Sequence, residues 1–242
     1  MKRVATIVFL AAAITVVAAV TSAHAGSAAT KDDSVVVETK FPAAGELTGK
    51  RVSVRNKPAL SGKVIKIMKY FRPDFRVQEI LAVKSVKDAH DSWWYKISVP
   101  GRPNGRMGYI PADSVDLAPT VAQIIVHRGK RTIDVYKHNK HVWHGKVAVG
   151  APGMETPLGH YYVAATFVPY KDPFLGVYAL ETSAYSKLSD WPGGGVVGIH
   201  GTNAPYLLGK AVSHGCVRVS NTTAKKLKRY TPVGTPILIK AN

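Results

Sequence analysis

The chain has 242 residues, 46% of them hydrophobic, a single cysteine, and 33 Lys and Arg against 15 Asp and Glu for a formal net charge of +18. One cysteine excludes a disulfide framework, and no stretch beyond the N-terminus is apolar enough to span a membrane. The basic excess points to an anionic partner or to a generally basic surface: nucleic acid for a cytoplasmic protein, cell-wall polymers or phospholipid head groups for an exported one.

The N-terminus reads as an export signal. Lys2 and Arg3 precede an apolar, uncharged run from Val4 to Val20, and Ala23-His24-Ala25 fits a small-x-small cleavage site. Residues 1–25 are therefore expected to be a signal peptide. The near-spanning length of the run keeps an uncleaved membrane anchor open as the rival. Cleavage leaves 217 residues (242 less 25) with 31 basic side chains (33 less Lys2 and Arg3) against 15 acidic ones. The chain is expected in the periplasm or cell-wall space. Residues 26–46, small and polar, read as a tether.

From 47 to 118 short strands alternate with turns, the pattern of a small barrel. "VSVRNKP", "SWWYKI" and "GRMGYIPADSVDL", in that order, resemble the start, middle and end of a bacterial SH3-like domain. The resemblance implies a module that helps exported enzymes engage cell wall. Trp93, Trp94 and Tyr109 are expected in the barrel core rather than in a ligand groove.

A second β-rich unit is expected over 119–242. Ile133 and Val135, Val147 and Val149, and Tyr161, Val163, Ala165 and Phe167 recur with a period of two, marking strands with one buried face. His138, His141 and His144 raise a metal site. Positions three apart on a strand face opposite sides, however, and Asn139-Lys140 reads as a hairpin tip, so these are expected to be solvated loop histidines. Ser220 or Asn221 can cap a helix over Asn221–Tyr230, with Ala224, Leu227 and Tyr230 on one face. The fold class is mostly β, with one or two short helices.

"SHGCVR", Ser213 to Arg218, holds the lone cysteine. A free thiol kept in an oxidising place invites oxidation, so its retention favours use over packing. If Val217 and Val219 point inward, Cys216 shares the other face with Arg218. If Val197 and Ile199 point inward, Gly198 and His200 face outward. Were these strands neighbours, Cys216 and His200 would meet beside a glycine that leaves room. An imidazole can take the thiol proton and return it to a leaving amine. Gly215 allows a tight turn, and the N–H groups of Gly215 and Cys216 could meet an oxyanion. Those parts serve acyl transfer through a thioester.

"IHGTNAPYLLGKAVSHGCVRVSN" resembles the active-site signature of the L,D-transpeptidase catalytic domain (YkuD-type): a His, a gap, then Ser/Thr-His-Gly-Cys. "ETPLG" at Glu155–Gly159 resembles the family's Thr-Pro-x-Gly turn, and "GTPILI" its last strand. Arg218 stands where part of the family has Asn. The resemblance implies Cys216 as nucleophile and His200 as general base near Gly201. It implies that His214 and Gly215 shape the oxyanion hole, and that peptidoglycan stem peptides are the substrate. Ser213 joins the implied substrate-binding set. Carbapenem-type β-lactams are the implied inhibitors. Arg218 either binds a stem carboxylate or braces the loop, and Tyr178 and Trp191 flank the region before His200 as candidate channel residues. No metal, cofactor or nucleic acid is expected. A Cys216/His200/His214 zinc site lacks a second cysteine or carboxylate at useful spacing. Trimming of stems, or attachment of envelope proteins, by the same chemistry remains open, as does a wall-binding protein without catalysis.

Overall fold

A computed structural model describes residues 40–190 and 192–242. The expected signal segment and the start of the tether lie outside the described residues. Among the described residues no helix is long and apolar enough to cross a membrane.

The first sheet has seven antiparallel strands: β1 (Ala43–Leu47), β2 (Arg51–Arg55), β3 (Val64–Lys69), β4 (Glu79–Lys87), β5 (Trp93–Ser98), β6 (Met107–Pro111) and β7 (Val115–Pro119), in the order β3-β2-β6-β5-β4-β1-β7. The tether expected through residue 46 ends sooner. Ala43–Leu47 pairs with both β4 and β7, because Ala43 and Leu47 carry apolar faces that the sheet buries. Period-two side chains build the core: Val52 and Val54 from β2, Ile80 and Ala82 from β4, with Met68, Ile97 and Ile110. Trp94 is buried and its indole N–H donates to Asp88 Oδ2 at 2.9 Å. Trp93 and Tyr109 are half-buried.

The second sheet has nine strands: β8 (Ala122–His127), β9 (Thr132–Lys137), β10 (Lys140–Gly150), β11 (Gly159–Phe167), β12 (Ala179–Tyr185), β13 (Val196–His200), β14 (Ala211–Ser213), β15 (Val217–Val219) and β16 (Pro236–Lys240), in the order β14-β10-β15-β13-β12-β11-β16-β8-β9. β10 also pairs with β9 through its first half, so the sheet closes on itself. The pairs β13–β15, β16–β8 and β10–β14 are parallel, and the others are antiparallel. The single α-helix among the described residues, α1 (Asn221–Tyr230), starts at Ser220, whose Oγ accepts the Thr223 N–H at 3.0 Å. Its Ala224 and Leu227 enter the core beside Ile133, Leu180, Ile199 and Val219.

β11 departs from expectation. Residues 161–165 are buried on both faces. Tyr161 and Val163 face the enclosed core, while Tyr162 and Ala164 pack on Leu81 of the first sheet. The alternation is real, but the other face is covered by protein instead of water. The seam is polar as well. Tyr162 Oη donates to the Glu79 carbonyl at 3.0 Å, and Arg72 and Arg76 both pair with Glu181 of β12. Asn104 exchanges two bonds with the Tyr185 backbone. Arg102 donates to the carbonyls of Ser186, Leu188 and Gly194.

Candidate active site

β13 and β15 are parallel neighbours, with Ile199 opposite Val217 and His200 opposite Arg218. That adjacency brings the cysteine and the histidine together. A Cβ placed on Gly198 would lie 3.6 Å from His200 Cδ2 and 3.8 Å from Cys216 Sγ. The two reactive side chains therefore flank one empty position, and the Gly198 N–H points at the sulfur at 3.3 Å. His200 Nδ1 lies 2.6 Å from the Gly201 carbonyl, which can only accept, so the proton sits on Nδ1. Nε2 therefore carries the lone pair.

Both groups rest neutral. Burial holds His200 down at about 4, aided by the positive charge of Arg218 and opposed by the Gly201 carbonyl and Asp172. Burial pushes the Cys216 thiol up, against the Gly198 N–H and Arg218, which favour the thiolate. The sulfur is not sealed in hydrocarbon. Cys216 and His200 line a cavity of about 1090 Å³, shared with Phe174 and Glu181 and with Phe71 and Arg72 of the first sheet's β3–β4 connection.

The turn before Cys216 is held from three sides. Gly215 has φ +119°, and a Cβ there would lie 2.8 Å from Ser186 Cβ, so only glycine fits. Its carbonyl accepts from Thr156 Oγ1 at 2.8 Å, and the Thr156 hydroxyl in turn accepts the Gly150 N–H at 2.9 Å. Ser213 Oγ donates to the Cys216 carbonyl at 2.5 Å and accepts the Gly215 N–H at 3.2 Å. The Gly215 N–H expected at an oxyanion is thus engaged within the turn. His214 is half-buried in the same turn.

Several expected substrate contacts take other places. Ser213 is 1% exposed and serves the turn. Tyr178 belongs to the core and lies outside the cavity lining, because its side chain packs inward while its carbonyl accepts the Gly201 N–H at 3.1 Å. A Cβ on Gly201 would meet Asn221 Oδ1 at 2.3 Å, so this glycine allows a close crossing of chains. Arg218 is buried, with its guanidinium 4.5 Å from the Phe174 ring. Among the described residues it forms no ion pair, and its Nε has no hydrogen-bond partner. Trp191 lies outside the described residues. Thr156, Phe174 and Arg72 were not singled out from sequence. Thr156 lay inside the Thr-Pro-x-Gly resemblance without a role, and nothing in the local pattern marks the other two.

The model of the L,D-transpeptidase catalytic domain YkuD matches residues 122–239. A Bacillus subtilis protein named as an L,D-transpeptidase, YkuD, is 34% identical over 116 residues, covering 48% of this chain and 64% of its own length. Another from the same organism, YqjB, is 31% identical over 125 residues, with 48% and 69% covered. An L,D-transpeptidase from Mycobacterium smegmatis superposes with a TM-score of 0.43 at 16% identity over 67% of this chain and 90% of that one. The chain thus spans less than two thirds of the first of these relatives.

Proposed function

The chain belongs to the L,D-transpeptidase family, and from that premise we propose that it cross-links peptidoglycan through a Cys216 thioester. Cys216 Sγ attacks the carbonyl carbon between the third residue and the terminal D-residue of a stem peptide. His200 Nε2 takes the thiol proton as the C–S bond forms, then gives it to the departing nitrogen as the C–N bond breaks. The D-amino acid leaves. The amine of a neighbouring stem then attacks the thioester, passes its proton through His200 to sulfur, and frees the thiol. The product joins the third residues of two stems.

Two neutral partners suit this sequence. The thiol need not be ionised beforehand if the imidazole accepts its proton during attack, and a base well below neutrality is never blocked by a proton at pH 7. The Cys216 N–H is the backbone donor for the oxyanion, and the buried Arg218 charge favours the anionic states. Phe71 and Phe174 give the cavity apolar walls, which favour an amine over water as acceptor. Residues 47–118 would act as an SH3-like module that engages the wall outside the cytoplasm, and a carbapenem would acylate the same sulfur.

The observation that carries this reading is the shared position of Cys216 Sγ and His200 Cδ2 around Gly198. Incubation with a purified tetrapeptide stem, followed by mass spectrometry of the products, tests it. Free D-amino acid and a cross-linked dimer are expected from the wild type and neither from Cys216→Ala. D-amino-acid release by Cys216→Ala would overturn the thioester route.

A further inference from the structure

Of the three histidines expected in a solvated loop, His138 is exposed at the tip of the β9–β10 hairpin, whereas His141 and His144 are exposed on strand β10. The tip is His138-Asn139, both with positive φ, which leaves His141 and His144 on β10. On a regular strand these two would face opposite sides. A register shift between His141 and Trp143 inserts a residue and turns both rings towards Asp134 on β9. Asp134 Oδ1 lies 2.7 Å from His141 Nε2 and 2.8 Å from His144 Nδ1, and its Oδ2 lies 3.0 Å from His127 Nε2 on β8. The Tyr136 ring lies 5.1 Å from that of His141.

Three potential ligand atoms, one each from Asp134, His141 and His144, lie within 4.8 Å of one another. Two imidazole nitrogens and one carboxylate oxygen form a donor set that suits zinc. Tetrahedral bonds of about 2.0–2.1 Å set donors about 3.3 Å apart. The present contacts would open by roughly half an ångström, and the two rings are 46% and 55% exposed, free to move that far. We propose that Asp134, His141 and His144 bind a zinc-class divalent cation, with water completing the shell and His127 orienting the carboxylate through Oδ2. Neutral imidazoles need release no proton. The hydrogen moves to His141 Nδ1 and to His144 Nε2, where water can solvate it. The cation would tie β9 to β10, the pairing that closes the nine-stranded sheet, so its effect is structural.

Calorimetric titration of the full chain with Zn2+ tests this, performed on Cys216→Ala so that the thiol cannot compete. One equivalent is expected, with a rise in Tm. The double variant His141→Gln/His144→Gln should bind at least tenfold more weakly and lose the Tm rise. Its metal-free Tm should match the parent, and His138→Gln should bind like the parent. No stoichiometric binding by the parent, or equal binding by the double variant, would overturn the site. Neither result bears on the thioester chemistry, which the stem-peptide experiment reads separately.

Discussion

Gly198 carries a hydrogen where any other residue would put a carbon between Cys216 and His200. A methyl there meets both side chains at ordinary van der Waals distance, so Gly198→Ala should fold with stability within about 1 kcal/mol of wild type. It fills the space the proton must cross, and acylation measured with stem peptide should fall about 100-fold. The titration of His200 makes a second test. Its pKa is about 4 in the folded chain against 6.5 unperturbed. The free base is lost only as pH falls through about 4, so the acylation rate should hold level from neutrality to roughly pH 5 and drop below it. The same shift is a stability term. It is fully present above 6.5, lost as pH falls from there to about 4, and worth about 3 kcal/mol in all. Denaturant melts of His200→Gln should lack that slope. The meeting of these side chains was legible because strand alternation assigns faces without knowing the fold. What a face looks onto was not. Tyr178 lies close to His200 in space, yet no local pattern tells an inward-packed tyrosine from one lining a channel.

The turn from β14 to β15 presents Cys216, and a segment far away in sequence holds it. Thr156 is fully buried and bonds Gly150 and Gly215 with one hydroxyl. Thr156→Val keeps the shape and leaves both backbone groups without that partner, which should cost about 2–4 kcal/mol in thermal or denaturant unfolding. Activity should fall further than the folded fraction does, since the Gly215 carbonyl no longer fixes the turn. The helix was readable to the residue, because a serine cap and a 3.6-residue apolar spacing are local signals. The shift inside β10 was not: a single inserted residue leaves no mark in composition, yet it decides that His141 and His144 face Asp134 together.

The two sheets are joined along β4 and β11, and the first one contributes Phe71 and Arg72 to the cavity lined by Cys216 and His200. Period-two alternation marked many of the short strands of both sheets, but the docking of the sheets depends on pairs such as Tyr162 with Glu79, 83 residues apart, which no short window reveals. Burial, helped by the charge of Glu46, raises Glu79 to about 7. Its contribution has the opposite sign to that of His200: present below 4.5 and lost as pH rises through about 7. With solvent screening allowed for, Glu79→Gln should be more stable than wild type by about 1 kcal/mol at pH 8 and no different at pH 4.5. Comparative melts at the two pH values would show it. The whole account turns on a covalent intermediate at one sulfur, and intact-protein mass spectrometry after rapid quenching with a tetrapeptide stem reads it most directly. The wild type should gain the mass of the stem less that of the released D-amino acid, and Cys216→Ala should gain nothing. A wild type that consumes the stem with no adduct on Cys216, or an adduct that persists in Cys216→Ala, would contradict it.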